Sequence, residues 1–391
     1  MRTQVVIIGA GPAGLLLSHL LGLDDVDSVL IERQSAEHVQ SRIRAGILEA
    51  GTVEVLREAG VGERLGAEAL RHRGIYLQWP GHREHVDFVD LIGRSVSVYG
   101  QTEVTKDLMA ARARADRPVF YGASQVELHE VDTDRPYVTF VDADGQPRRV
   151  EARVIAGCDG HHGPSRQALP ASLRQTWTRD YPFAWLGVLA EVPPSTDELI
   201  YAWHRDGFAM HSMRSSTISR FYLQVRPGED PAEWPDERIW TALATRLGAQ
   251  DGGWQLTTGP ITEKSVLPMR SFVATPLRHG RLFLAGDAGH IVPPTGAKGL
   301  NLAVADVVLL HRALVSWLLD GKPELAESYS DTALRRVWRC THFSWWMTTM
   351  LHRHGDDFDA RLQLAQLDAV RSSTAAATEL AQNYAGLPIG C

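Results

Sequence analysis

The chain has 391 residues, with 40 Lys and Arg against 47 Asp and Glu and a formal net charge of −7. That length buries a large core spread over two or three domains, and an acidic balance without a tight basic run excludes nucleic acid and anionic membranes as expected partners. Cys158, Cys340 and Cys391 make neither a disulfide framework nor a metal-ligand spacing, so no metal site is expected.

Met1-Arg-Thr leads straight into the first strand and leaves no room for a signal peptide, and no apolar stretch reads as long enough to span a bilayer. The chain therefore reads as a soluble, cytoplasmic protein. Gln4-Val-Val-Ile-Ile8 is a β-branched run placed directly before Gly9-Ala-Gly11-Pro12-Ala13-Gly14. The apolar helix pattern Leu15 to Leu21 follows, then a second strand, Ser28 to Ile31, ending at Glu32. Strand, glycine loop, helix, second strand and acid stand in the order a dinucleotide site needs. The glycines permit the tight turn, the approach of backbone to pyrophosphate and the packing of helix on strand.

Arg42 to Leu48 precedes a helical pattern through Leu56, closed by a turn near Gly60. Ile75 to Trp79, Glu84 to Val89 and Arg94 to Tyr99 alternate as strands, and Gln101 to Ala115 has helical spacing. Tyr137 to Ile155 holds two strand patterns about an Asp144-Gly145 turn, and the second runs into Ala156-Gly-Cys-Asp159-Gly-His-His-Gly163. From Phe183 to Val225 short alternating runs predict an antiparallel sheet; Pro235 to Leu247 is helical, and the chain returns to the first domain near Arg270. The apolar run Leu282 to Ala285 ends at Gly286-Asp287, a loop rich in Pro and Gly follows, and helical spacing begins at about Gly299. Beyond Gly321 the pattern is mostly helical, with an aromatic cluster at Phe343-Ser-Trp-Trp-Met347.

The expected fold is α/β (α+β overall): a Rossmann-like domain over 1–180, with 73–98 contributing to the second sheet, and an antiparallel-sheet domain over 181–269. A return to the first domain over 270–320 and a helical region over 321–391 complete it. Within the second sheet, Ser212 and Arg214 are two apart on one strand, as are Arg220 and Tyr222 on the next. A hairpin puts all four on one face, a composition that suits an anionic ligand or, alternatively, a solvated arginine face.

Four further motifs join the three loops: Arg42-Ile-Arg-Ala-Gly46, Tyr99-Gly-Gln-Thr-Glu-Val-Thr105, Pro293-Pro-Thr-Gly-Ala-Lys-Gly-Leu-Asn301 and Phe343-Ser-Trp-Trp-Met347. With these the chain resembles the class A flavoprotein aromatic hydroxylases nearly end to end. The resemblance implies non-covalent FAD held by Gly9, Gly11, Pro12, Ala13, Gly14, Glu32, Asp159, Gly286 and Asp287. Arg44 and Gln101 are implied on its pyrophosphate and ribityl side, Arg33 and Arg42 also among its binding residues, Arg220 against the flavin, and Pro294, Gly296, Lys298, Gly299, Leu300 and Asn301 along its pyrimidine edge.

The implied substrate is 4-hydroxybenzoate, hydroxylated at its 3-position with O2 through a flavin C4a-hydroperoxide. Ser212, Arg214 and Tyr222 are implied at its carboxylate, Tyr201, Tyr384 and the Pro294 carbonyl at its phenol, and His72 as outlet for the phenolic proton. NADPH or NADH is implied in a surface cleft with Arg33, His38, Arg42, His162, Arg166 and Arg270, since no second Gly-x-Gly-x-x-Gly exists. Glu37 opposes a 2′-phosphate while Arg33 and Arg42 favour one, so the coenzyme stays open; Met210 and Trp203 depart from the common pattern and leave ring tolerance open. The family is commonly dimeric, and a homodimer through the Trp345-Trp346 helix is expected. A related monooxygenase for another para-substituted benzoate, a flavin reductase without oxygen insertion and a non-catalytic FAD protein remain alternatives at this point.

Overall fold

In the computed structural model, which describes residues 1–41, 46–248 and 253–389, the first apolar run is the centre of a sheet. Val5–Ile8 lies between Ser28–Ile31 and Val154–Gly157, all parallel, with Val5 level with both Ser28 and Val154. Leu282–Leu284 and Val119–Phe120 extend the two sides in parallel, and Arg278–His279 adds an antiparallel edge. Val5–Ile8 is fully buried, as a strand covered on both faces must be, and that is why its sequence is a continuous β-branched run. Because the strands run parallel and adjacent, the loops after Ile8, Gly157 and Leu284 leave the same edge side by side.

Among the described residues, the second sheet has eight strands. Its order is His290–Ile291, Ile261–Thr275, Gln175–Ala190, Ser219–Val225, Ala209–Met213, Ile200–Ala202, Gly74–Trp79 and His82–Asp87. Gly74–Trp79 runs parallel to Ile200–Ala202, so residues early in the chain pair with the segment that carries Tyr201.

Three details differ from the sequence reading. The strand expected from Phe183 begins at Gln175, because Gln175–Asp180 is exposed and shows no apolar alternation. Ile261–Thr275 pairs with Gln175–Ala190 over most of its length, so Arg270 belongs to the second sheet and the chain rejoins the first at Arg278. The strand expected to reach Val89 stops at Asp87, whose side chain accepts from the Asp90 N–H and caps the short helix Phe88–Ile92.

Gly299–Asp320 is long and apolar enough to cross a membrane by length and composition, contrary to the sequence reading. In the fold 61% of that window is buried, and the helix packs on Pro12–Leu23 and Tyr329–Leu351. Two more helices complete the C-terminal region. Asp357–Ser372 starts with a capping box between Asp356 and Asp359, and Thr374–Ala385 is capped by the Ser373 hydroxyl.

Burial fixes the charge state of two core histidines and with it the pH response of the fold. His352 and His211 are both fully buried, and desolvation pushes their pKa values down to about 3 and about 4. In the unfolded chain both protonate near 6.5, so as pH falls below that value the unfolded state binds protons that the folded state refuses. Each group then removes about 1.4 kcal/mol of stability per pH unit until its folded pKa is reached. His290 has the opposite shift: the carboxylate of Asp306 raises its pKa against desolvation, so its contribution is complete below pH 6.5 and is lost as pH rises through its folded value. The urea midpoint is therefore expected to fall steadily from pH 6.5 to 5; a flat profile over that range contradicts two neutral buried imidazoles.

Candidate active site

At the shared edge of the first sheet, Gly9 adopts φ +100°, and a Cβ there would lie 2.4 Å from the Cys158 carbonyl oxygen. Only glycine lets the first and second motif loops touch. Gly11 is different: a Cβ on it would meet nothing within 4 Å, so its face opens outward beside the unpaired N–H groups that begin Pro12–Leu23. Glu32, at the end of the adjacent strand, accepts from the Ala10 N–H at 2.7 Å and the Gln34 N–H at 2.9 Å, which fixes its carboxylate against the loop. Asp159 accepts from the Ser165 N–H through Oδ2, while its Oδ1 is buried without a hydrogen-bond partner. Asp287 is exposed on the third loop, and Gln101 opens the helix Gln101–Arg114. An open glycine face at a helix N-terminus fits a pyrophosphate, and an orphaned carboxylate oxygen fits a hydroxyl donor; both belong to FAD. Arg42 and Arg44 lie outside the described residues.

The loop after Ile291 is anchored from beneath. Lys298, 2% exposed, donates to Glu49 Oε1 at 2.6 Å and to the Tyr384 carbonyl at 2.8 Å. Asn301 accepts from the Glu49 N–H and donates to the Ile47 and Ala297 carbonyls. Both side chains thus bind the protein, and the backbone N–H groups at the start of Gly299–Asp320, from Gly299 through Leu300, are what this loop offers to a ligand. Glu49 escaped the sequence reading because a single acid ahead of a helix looks like any capping residue.

The hairpin forms in the register that the alternation implies. Ser212 stands opposite Arg220 and Met210 opposite Tyr222, so these four share a face, and Arg214 follows at the end of its strand. With Tyr201, Trp185, Pro294 and Ala297 they line one narrow cavity. Burial, and then the neighbouring Arg220, pushes the Arg214 pKa down to about 10, which still leaves it a cation at neutral pH. Arg220 is 7% exposed, its Nε and Nη1 have no hydrogen-bond partner, and its guanidinium lies 5.2 Å over the Tyr222 ring. Two desolvated cations on one cavity create a field that an anion relieves. Met210 lines the cavity, whereas Trp203 donates its indole N–H to Gln363 at 2.7 Å behind it.

Tyr201 and Tyr384 come from segments 183 residues apart, yet their hydroxyls meet at 2.6 Å and both rings are 1% exposed. Burial pushes both phenols above their ordinary value, so the pair stays neutral at physiological pH and can pass a proton along its hydrogen bond without holding charge. The Pro294 carbonyl accepts from the Ala297 N–H at 2.9 Å and keeps one lone pair for a second donor. His72, although it lies between Arg71 and Arg73, is 1% exposed, with neither ring nitrogen hydrogen-bonded and its pKa pushed down by burial. Among the described residues no hydrogen bond joins it to either tyrosine.

A second cavity, about 570 Å³, opens on the exposed end of the long strands. Arg166 and Arg270 line it, together with His161, Arg174, Thr176 and Thr178. Arg166 is held by the Ala288 and His161 carbonyls and sits 4.7 Å over the Phe272 ring. His162 is exposed beside His161, while Arg33 and His38 do not line this cavity. His161 lies in the second glycine loop but was given no role, and Arg174 belongs to no motif; only the fold brings both into one cavity with Arg270.

The family described as FAD binding domain matches residues 2–344. The p-hydroxybenzoate hydroxylase of Acinetobacter baylyi is 48% identical, over 99% of this chain and 96% of that protein. A 12-dehydrotetracycline 5-monooxygenase/anhydrotetracycline 6-monooxygenase of Streptomyces rimosus is 30% identical over 84% of this chain and 66% of its own length. Among solved structures, p-nitrophenol 4-monooxygenase from Pseudomonas putida superposes with a TM-score of 0.82 at 19% identity, covering 98% of this chain and 99% of that one, which speaks for the fold alone. FAD is the cofactor that the three adjoining loops accommodate, and the near-complete match to a hydroxylase extends the likeness to the cavity beside them. The chain belongs to the FAD-binding family of class A flavoprotein aromatic hydroxylases.

Proposed function

We propose that this protein is a 4-hydroxybenzoate 3-monooxygenase that converts 4-hydroxybenzoate, NAD(P)H, a proton and O2 to 3,4-dihydroxybenzoate, NAD(P)+ and water. The observation that carries the reading is one cavity lined at one end by the cationic grip and at the other by Tyr201, whose hydroxyl is bonded to that of Tyr384. Tyr201 is level with Met210, and Ser212 lies two residues further, roughly 7 Å along the strand. That spacing suits the two ends of a para-substituted benzoate.

FAD, which the three glycine loops would hold, would supply the redox chemistry: hydride uptake from the nicotinamide coenzyme and activation of O2. The chain's own residues do the rest. Arg214 holds the substrate carboxylate with Ser212 and Tyr222, and Arg220 places its unpartnered N–H groups toward the flavin. Tyr201 Oη accepts the phenolic proton as its own proton moves to Tyr384, with His72 as the outlet. The substrate then reacts as phenolate, whose ring carbon ortho to oxygen is much the better nucleophile. A free phenol ionises near pH 10, so without this relay the neutral-pH population of phenolate is very small. Trp185 and Met210 keep bulk water from the reacting carbon.

Gly9, Gly11, Pro12, Ala13, Gly14, Glu32, Asp159, Gln101, Gly286 and Asp287 are assigned to FAD, with Arg33, Arg42 and Arg44 on its phosphate side. The backbone of Pro294, Gly296, Lys298, Gly299, Leu300 and Asn301 is assigned to the flavin ring. The coenzyme is assigned to the cleft of Arg166 and Arg270, extending past His162 toward Arg33, His38 and Arg42. A homodimer is proposed because Trp338, 42% exposed, stacks edge-on with Trp177, 44% exposed, on the helix face that also carries Trp345. A cytoplasmic location is proposed with it, since Cys158 and Cys340 are free thiols.

The test is to follow NAD(P)H oxidation over a panel of benzoates while measuring H2O2 and ring products. The reading requires 4-hydroxybenzoate to give 3,4-dihydroxybenzoate with little H2O2; reduction of FAD without any ring product overturns it. For the coenzyme, Glu37 is exposed and its pKa is lowered by hydrogen bonds from its own backbone and Ser35, so it is anionic at neutral pH. Glu37→Gln is expected to shift the ratio of kcat/KM values several-fold toward NADPH. An unchanged ratio places the 2′-phosphate elsewhere.

A further inference from the structure

Trp185 lines the substrate cavity, and its indole packs on Tyr222 at a centroid distance of 4.4 Å. Its N–H points away from the cavity and donates to His352 Nε2 at 2.6 Å. That acceptor role requires the other ring nitrogen to carry the proton, and His352 Nδ1 lies 2.8 Å from the Thr348 carbonyl, to which it donates. The imidazole is stacked on Phe183 at 4.5 Å and on Phe208 at 4.3 Å, with no exposed surface. It therefore has one orientation and one tautomer.

Thr348 also faces the other way. Its Oγ1 lies 2.9 Å from Thr295 Oγ1, in the loop that runs from Pro293 to Asn301 beside the flavin site. The last turn of Tyr329–Leu351 thus touches both the wall of the substrate cavity and the loop that faces FAD.

We propose that His352 is a positioning residue that, as a neutral Nδ1–H imidazole, holds Trp185 against Tyr222 and ties this cavity wall through Thr348 to the Thr295 loop. The proposal rests on the reading of that cavity as the substrate site. A buried imidazole surrounded by aromatic rings costs free energy that a phenylalanine would not, and a hydrophobic residue would fill the space equally well. What histidine adds here is an acceptor for one buried N–H and a donor to one buried carbonyl, at a fixed separation. The arrangement is independent of pH above about 5, because burial pushes the His352 pKa down to about 3. Among titratable groups near it, His354 has a similar ring but lies at the half-exposed end of the helix and bonds the Thr349 carbonyl instead.

Two variants separate positioning from packing. His352→Phe keeps the stack and removes both hydrogen bonds; His352→Gln keeps an acceptor for Trp185 and a donor for Thr348. The holoenzymes are compared with tryptophan labelled at the indole nitrogen, the Trp185 resonance being assigned from Trp185→Phe. The indole N–H of Trp185 is expected to move upfield in His352→Phe and to return toward its original position in His352→Gln, with no substrate present. In 4-hydroxybenzoate titrations, His352→Phe is expected to weaken binding about tenfold and to raise the H2O2 fraction, with His352→Gln recovering most of both. Trp185→Phe is expected to make His352→Phe nearly silent in the double variant. An unmoved Trp185 resonance overturns the proposal, as does wild-type binding and coupling in His352→Phe, or a glutamine variant as impaired as the phenylalanine one. If wild type itself fails to bind 4-hydroxybenzoate, the substrate reading falls, and the resonance still decides whether His352 holds Trp185.

Discussion

Tyr201→Phe is expected to keep consuming NAD(P)H while hydroxylation falls by roughly 10²-fold, the usual scale for losing one positioned proton acceptor. The substitution removes one hydroxyl from a pair only 2.6 Å apart and leaves Ser212, Arg214 and Tyr222, the proposed carboxylate site, in place. Substrate should therefore still bind, and FAD should still be reduced and react with O2. The bound phenol, however, has lost its route to Tyr384, and neutral phenol is a poor nucleophile at the ortho carbon. Most of the oxygen should then appear as H2O2. The measurement is the ratio of 3,4-dihydroxybenzoate to NAD(P)H consumed. Stoichiometric product at the wild-type rate from Tyr201→Phe removes Tyr201 from the relay.

Arg214→Gln is expected to retain FAD and to lose more than 100-fold in affinity for 4-hydroxybenzoate. Arg214 stays protonated despite burial beside Arg220, and a charge-assisted pair with a carboxylate in that setting contributes about 3 kcal/mol or more. Glutamine offers a single neutral donor in place of a two-pronged cation. Titration of the oxidised holoenzyme, read by flavin absorbance, measures the change. A variant that binds 4-hydroxybenzoate as wild type does shows that the carboxylate lies elsewhere. Phenols that lack the carboxylate should be weak ligands of wild type and lose little further affinity in the variant.

The parts of this protein that were legible in the sequence are those governed by local spacing. The glycine loop is forced by contacts inside one turn, as the Gly14 position shows: a Cβ there would stand 1.9 Å from the Gly9 carbonyl. The hairpin carrying Ser212, Arg214, Arg220 and Tyr222 follows from period-two alternation, and its register puts Ser212 opposite Arg220. Contacts that join distant segments left no such mark. Lys298 and Glu49 meet across 249 residues, and Trp185 and His352 across 167, and nothing in the local spacing of either segment names its partner. Tyr201 and Tyr384 were paired only through the family resemblance, since each alone reads as a core tyrosine. The exposed strand Gln175–Asp180 lacks alternation because neither face is buried, which also hid the cleft shared by Arg174 and Arg270.

Insertion of one atom of O2 into the ring of 4-hydroxybenzoate is the reaction proposed for this chain. It is tested most directly by a single incubation of the purified holoenzyme with 4-hydroxybenzoate and NAD(P)H under 18O2, followed by mass analysis of the aromatic product. The expected product is 3,4-dihydroxybenzoate carrying one 18O, in near-equal amount to the NAD(P)H oxidised. Unchanged 4-hydroxybenzoate with all the label in H2O2, or a hydroxylated product carrying oxygen from water, contradicts it.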